Sequence, residues 1–231
     1  MAGHIPSHQT GVFFPRTAAD AIKSFNQRYG EYPYTELEEV GIPMEAQGIE
    51  YPGVIGLSLG LYDSSPGAGV STDQQDRFRT TIAHEVAHQW FYNLVGNDQN
   101  NQPWLDEALA QYASYQYIID TYGNGPTANG LLSYWEGCIR RTQTSDTPIG
   151  LPAGDYSSSN AYVGAVYCRG PLFIQALRDQ MGSDKFDTFM KDYVAQNRWG
   201  IATENGFRQL AEKECNCDLG PLFAEWVDPT N

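Results

Sequence analysis

The sequence predicts an α+β fold in which a small mixed β-sheet leads into a mostly helical lobe, and three features carry that expectation. Residues 37–42, 46–51 and 54–61 are short apolar or alternating runs separated by Pro and Gly, as strands are. From residue 72 onward, apolar residues recur at helical spacing with Gly, Pro and Thr between the runs. Within the first of these runs, His84-Glu85-Val86-Ala87-His88 puts two imidazoles four residues apart, where a helix stacks them on one face with Glu85 beside them. One domain is expected over residues 1–231, sheet-rich from 12 to 69 and helical from 70 to 231.

In chain order, Val12-Phe13-Phe14 reads as the remnant of a strand. Residues 17–29 read as a helix, with Ala18, Ile22, Phe25 and Tyr29 on one stripe, Thr17 as its cap and Gly30 as its stop. The three strand candidates then form a sheet whose edge carries Glu50. Residues 64–69 are loop. Thr72 or Asp73 starts a helix that is expected to run to Gly96, with Asp73 and Asp76 suiting the dipole of its first turn and with Trp90, Phe91 and Leu94 in the core. After a polar loop at 97–103, a second helix runs to Tyr122, where Gly123-Asn124-Gly125-Pro126 ends it. A helix over 129–141 and a long loop over 142–160 follow. Residues 171–181, 183–196, 203–214 and 219–226 complete a helical bundle below the histidines.

The chemistry follows from the ligand types. Zinc held by two imidazoles needs a third protein ligand, and a catalytic site keeps a fourth position for water. Glu107 supplies a carboxylate in the first turn of the second helix, and a turn around Gly96-Asn97-Asp98 brings that helix back over His84 and His88. The expected centre is therefore one zinc ion per chain on His84, His88 and Glu107, with Glu85 placed as general base. Asp106 is either a helix cap or a partner of a histidine ligand.

An H-E-x-x-H helix followed after eighteen residues by a glutamate, inside Trp104-Leu105-Asp106-Glu107-Ala108-Leu109-Ala110, resembles the gluzincin aminopeptidases, the family of aminopeptidase N and leukotriene hydrolase. Gly48-Ile49-Glu50-Tyr51-Pro52-Gly53 is similar to that family's Gly-x-Met-Glu-Asn-Pro-Gly strand, and Tyr167-Cys168-Arg169-Gly170 is similar to its Tyr-x-Lys-Gly segment. The resemblance runs from about Ala18 to about Trp226 and implies a thermolysin-like zincin domain that removes amino-terminal residues from peptides. It gives Glu50, with Gly48 beside it, the task of holding the substrate's free amine, and gives Tyr167 the task of supporting the oxyanion. Tyr162 is the competitor for that second task, and Arg169 and Tyr162 join Asp106 as candidates for support behind the reacting groups. Two residues depart from the pattern: Tyr51 stands where the family has Asn, and Arg169 where it has Lys, which keeps the charge but changes its shape. Family members also carry a β-rich domain before the catalytic one and a helical domain after it. The chain reads as a catalytic domain standing alone, natural or excised, with flanking domains of a longer protein absent.

Composition narrows the partners. A net charge of −14 argues against nucleic acid and against an anionic membrane surface, both of which call for clustered Lys and Arg. No apolar run is long enough to span a bilayer. His4 and His8 repeat the spacing of the zinc pair, but Pro6 opposes a helix there. Buried free thiols are expected for Cys138 and Cys168, and a bridge between Cys215 and Cys217 is expected to strain the backbone. Low Lys with abundant Tyr, Asn, Gln and Ser leans towards an extracytoplasmic protein. Peptides are the expected partners. Two rival readings remain: a thermolysin-like endopeptidase, and a zinc-containing peptide-binding module without useful turnover.

Overall fold

A computed structural model describes residues 10–63 and 72–229, with side chains from 16 to 61 and from 75 to 229. The elements run α1 (Thr10–Tyr29), β1 (Glu38–Ile42), β2 (Gly48–Tyr51), β3 (Val54–Ser58), α2 (Leu59–Asp63), α3 (Thr72–Ala87), β4 (Val95–Gly96), α4 (Trp104–Tyr122) and α5 (Pro126–Thr142). Then come α6 (Ser159–Tyr162), a π-helix (Val163–Arg169), α7 (Gly170–Met181), α8 (Ser183–Asn197), β5 (Gly200–Ile201), α9 (Glu204–Cys215) and α10 (Gly220–Trp226). A mixed sheet leading into helices is the predicted α+β arrangement. His4, His8 and the expected loop at 64–69 lie outside the described residues.

Helix α4 is the axis of the molecule. Apolar residues cover it all round, and nearly every side chain from Trp104 to Ile118 is buried, as suits a helix enclosed by neighbours rather than one with a wet face. Helices α1, α3, α5 and α7 and the π-helix all pack on it. Trp104 anchors its start, with edge-to-face contacts to Phe173 of α7 and Phe207 of α9 and an indole N–H donated to Glu204. On the other side, Ala18, Ala21, Phe25 and Tyr29 of α1 are buried, and Phe25 meets Trp90 edge-on.

The three-stranded sheet has the order β1-β3-β2, with β1 parallel and β2 antiparallel to β3. Among the described residues, one edge of β2 therefore lacks a strand partner. Direct pairing of Gly48 with Leu57 and of Glu50 with Ile55 puts Gly48 and Glu50 on the face shared with two fully buried residues. That face turns towards α3.

Several expectations give way to the structure. Val12-Phe13-Phe14 belongs to α1 and not to a strand, because three β-favouring residues with no partner strand cannot resist extension of an adjacent helix. The third strand stops at Ser58, and Leu59 to Leu61 turn into α2. The histidine helix ends at Ala87 instead of Gly96. Its last turn tightens, with Gln89 N–H on Val86 and Trp90 N–H on Ala87, and Tyr92 at φ 104° reverses the chain so that Val95 and Gly96 pair with β5. The helix expected at 129–141 starts at Pro126, which takes the first-turn position where its missing N–H costs nothing. The 142–160 loop contains a 3₁₀ turn at Ala153–Asp155.

The cysteine expectations are also corrected. Cys138 of α5 is bonded to Cys168 of the π-helix, and Cys215 to Cys217. The short second bridge is possible because Asn216 between its ends is left-handed, at φ 51°, which brings the two Cα atoms to 5.2 Å.

Candidate metal centre and substrate edge

His84 lies in the last turn of α3, and His88 one residue past its end still donates its backbone N–H to the His84 carbonyl. The four-residue stacking therefore survives the early stop of the helix, and the two Nε2 atoms are 3.2 Å apart. The His88 Nδ1 faces the Phe91 carbonyl at 3.0 Å, so Nδ1 carries the proton and Nε2 offers its lone pair.

Helix α4 returns Glu107 to the histidines as the spacing predicts. Its Oε2 is 3.3 Å from His84 Nε2 and 3.4 Å from His88 Nε2. Three donors of a tetrahedral zinc site with ligand bonds of 2.0–2.2 Å lie roughly 3.3–3.6 Å apart. The three side chains thus stand at the spacing the ion requires. Glu107 Oε2 is buried and makes no hydrogen bond, which is what a carboxylate oxygen aimed at a cation would do. Burial raises the Glu107 carboxyl, but the two histidines facing it outweigh that and hold it below the usual range.

Glu85 is 5% exposed, and its carboxylate lies against the Cα of Gly48, where a Cβ would sit 2.1 Å from Oε1. Only glycine at 48 leaves room for it. Burial pushes the Glu85 carboxyl up to about 7, against the pull of His84 and His88. Glu50 on the partnerless edge of β2 brings a carboxylate oxygen into a second group with Glu85 and His88, all within 4.8 Å. Both groups of donors share His88. The His84, His88 and Glu107 set fits zinc better because it leaves Glu85 unligated.

Tyr167 donates its hydroxyl to Glu107 Oε1 at 2.5 Å. Residues five apart diverge by roughly 140° on an α-helix, but the wider π-helix brings them to nearly the same face. Tyr162 and Tyr167 accordingly meet edge-on at 5.8 Å. Of the two competitors, only Tyr167 hydrogen-bonds to the carboxylate; Tyr162 packs behind it. Burial and the Glu107 charge push the Tyr167 hydroxyl far above the ordinary tyrosine range, and burial pushes Tyr162 up to about 12.

Asp106 and Arg169 support the site by gripping backbone. Asp106 accepts from the Glu107 N–H and from the Gln99 side chain, each at 2.8 Å, and makes no hydrogen bond to either histidine. Burial and the neighbouring Glu107 raise its carboxyl to about 6. The Arg169 guanidinium donates to the carbonyls of Ser145, Thr147, Glu225 and Trp226 and stacks 4.6 Å from the Trp226 ring. Four donations in a planar fork are beyond lysine, which has three donors on one nitrogen.

One residue of the site was not anticipated. Gln89, fully buried, donates to the Tyr51 carbonyl and accepts from the Gly53 N–H, tying β2 to the end of α3. A polar residue among Val86, Ala87, Trp90 and Phe91 was the available signal.

With this geometry in hand, comparison with known proteins is informative. Residues 16–226 match the peptidase family M1 domain. Among curated relatives, the chain is 28% identical over 226 residues to Aminopeptidase 2 of Candida albicans, covering 94% of this chain and 24% of that protein. It is 27% identical over 215 residues to human endoplasmic reticulum aminopeptidase 2, covering 91% of this chain and 22% of the relative. The chain spans about a quarter of the length of the curated relatives it matches. Its fold is like that of an M1 zinc metallopeptidase variant from Deinococcus radiodurans, with a TM-score of 0.72 at 17% identity over 100% of this chain and 48% of the other. Native yeast LTA4 hydrolase gives 0.74 at 19% identity over 95% and 36%.

Proposed function

Because the chain belongs to peptidase family M1, we propose that it hydrolyses peptides with one zinc ion held by His84, His88 and Glu107, removing residues from a free amino terminus. The observation that carries this reading is the spacing of the three donors, 3.2 to 3.4 Å, beside a strand edge with Glu50 on it.

A peptide laid along the partnerless edge of β2 gains main-chain hydrogen bonds, as an added strand does. Its amino terminus meets the Glu50 carboxylate, which fixes where the chain begins and so which bond lies over the donors. The chemistry that zinc supplies when bound is a lowered pKa for the attacking water and a polarised carbonyl. Glu85 takes a proton from that water as it attacks and delivers it to the leaving nitrogen. Tyr167 donates its hydroxyl to the carbonyl oxygen as negative charge gathers there, a contribution of roughly 10²- to 10³-fold in rate if it behaves as one oxyanion donor. Tyr162 stands behind Tyr167, Asp106 fixes the backbone of Glu107, and Arg169 fixes the far end of the π-helix.

The test is mass-spectrometric cleavage of a peptide mixture in which each peptide is present with a free and with an acetylated amino terminus, using zinc-loaded protein and Glu85→Gln as control. Stepwise loss of residues from the free forms alone is the expected result. Internal cuts in both forms would replace the reading with an endopeptidase, and intact peptides throughout would replace it with a binding module.

A further inference from the structure

The π-helix that delivers Tyr167 is gripped at four points. Cys168, the residue after Tyr167, is bonded to Cys138 in the last turns of α5. Arg169 binds four carbonyls. Gly164 lies so close to Thr142 and Thr144 that a Cβ would stand 2.1 and 2.5 Å from their hydroxyls. Gly170 lies on Ala108, next to Glu107, where a Cβ would come within 2.6 Å of the alanine methyl.

Such holding has a physical reason. A π-helix carries one residue more per turn than the α-helix it interrupts and makes poorer hydrogen bonds, so relaxation to α-helix is the ordinary outcome. That relaxation would rotate Tyr167 by about 100° relative to α7 and take its hydroxyl away from Glu107. The two grips of Gly164 and Gly170 limit translation, whereas a covalent bond at position 168 opposes rotation of the adjacent residue. Cys138 and Cys168 are 4% and 1% exposed, so the tie acts inside the packed core.

We propose that the Cys138–Cys168 disulfide is a positioning device for catalysis: it keeps Val163–Arg169 in the π register and so keeps the Tyr167 hydroxyl beside Glu107, from where it turns its proton to the reacting carbonyl oxygen. This rests on the role given to Tyr167 above. Cys138 and Cys168 act through Tyr167 and touch no substrate.

The test compares the parent protein with Cys138→Ala/Cys168→Ala, with Tyr167→Phe, and with all three substitutions together. Loss of the disulfide is expected to lower kcat roughly 10- to 100-fold, since misplacement by about an ångström has effects of that order, with KM within about twofold and zinc per chain unchanged. Amide hydrogen exchange across 163–170 is expected to quicken in the zinc-free and the zinc-loaded protein alike. In the Tyr167→Phe background, removing the disulfide is expected to cost no further activity. Cys215→Ala/Cys217→Ala, which opens the other bridge, is expected to leave kcat as it was. An unchanged kcat without the 138–168 bridge, or a loss that persists undiminished beside Tyr167→Phe, would overturn the proposal. Full activity in Tyr167→Phe alone would remove the tyrosine from the chemistry and the proposal with it. If the disulfide variant does not accumulate folded, Gly164→Ala presses the same segment from its other side. A kcat loss there that vanishes in the Tyr167→Phe background supports the proposal, and an unchanged kcat overturns it.

Discussion

At the scale of single residues, the site depends on the absence of a side chain at position 48 as much as on the side chains around it. Glu85 can lie where it does only because position 48 has no Cβ. Gly48→Ala is therefore expected to displace Glu85, the proposed general base, and lower kcat by about 10² or more, with zinc retained, because proton transfer by a placed side chain is worth 10²–10⁴-fold. Glu85→Gln, similar in size but unable to take a proton, is expected to show the same pattern more fully. Metal analysis and steady-state kinetics on both variants check this, and turnover by Glu85→Gln near the parent rate would dismiss the general base. Glu50 calls for a different readout. If its carboxylate binds a free amine, Glu50→Ala raises KM for free-amine peptides by tenfold or more and leaves blocked peptides alone, whereas a carboxylate that only steadies the strand would affect both equally. The histidine pair, Glu85 and Glu107 were legible from spacing, because a helix converts a four-residue interval into a shared face. Gln89 showed locally only as a polar residue among apolar neighbours, and nothing in that marks it as the clamp on Tyr51 and Gly53.

At the scale of elements, the sheet, α4 and the helices after residue 170 were legible from periodicity, and the failures share a cause. Residues 12–14, 59–61 and 88–94 are short or mixed stretches whose period does not decide, and tertiary packing decides them: Trp90 and Phe91 leave the helix of His84 because the core receives them. The π-helix has no sequence signature at all, and the Cys138–Cys168 bridge depends on α5 meeting it in space. The contact between α1 and α4 offers a test by pH. Arg28 forms two hydrogen bonds with Asp120, at 2.6 and 2.7 Å, and Ser24 adds a third. Although burial raises the Asp120 carboxyl, these bonds outweigh it and lower it below its ordinary value of 3.8. A depressed carboxylate stabilises the fold above its unfolded pKa, and that contribution is lost as pH falls through the folded one. Both partners are part-exposed, so the effect is about 1 kcal/mol or less. Urea titrations of the parent and Asp120→Asn should differ by that amount at pH 7 and converge only once the pH has fallen below the lowered pKa of Asp120. A gap that stays constant with pH would mean that the Asn changes packing instead.

At the scale of the whole molecule, the donors of the centre come from two separate places in the chain, the end of α3 with the residue that follows it and the first turn of α4, which a bound ion would tie together. The fold also carries a net charge of −14, which repels itself and attracts a cation. A ligand that binds only the folded state at a thousand times its Kd adds about 4.1 kcal/mol, and for a chain of this size 1 kcal/mol moves Tm by about 2–4 °C. Zinc at that excess should therefore raise Tm by roughly 8–16 °C over chelator-treated protein. In His88→Ala the rise should largely disappear, because two donors remain of the three. The comparison separates the site from the charge: general attraction of cations to an acidic surface would raise Tm equally in the variant, would follow calcium as well as zinc, and would fade with added salt. Such a result would leave the three side chains without an ion, and the proposed hydrolysis would lose its footing.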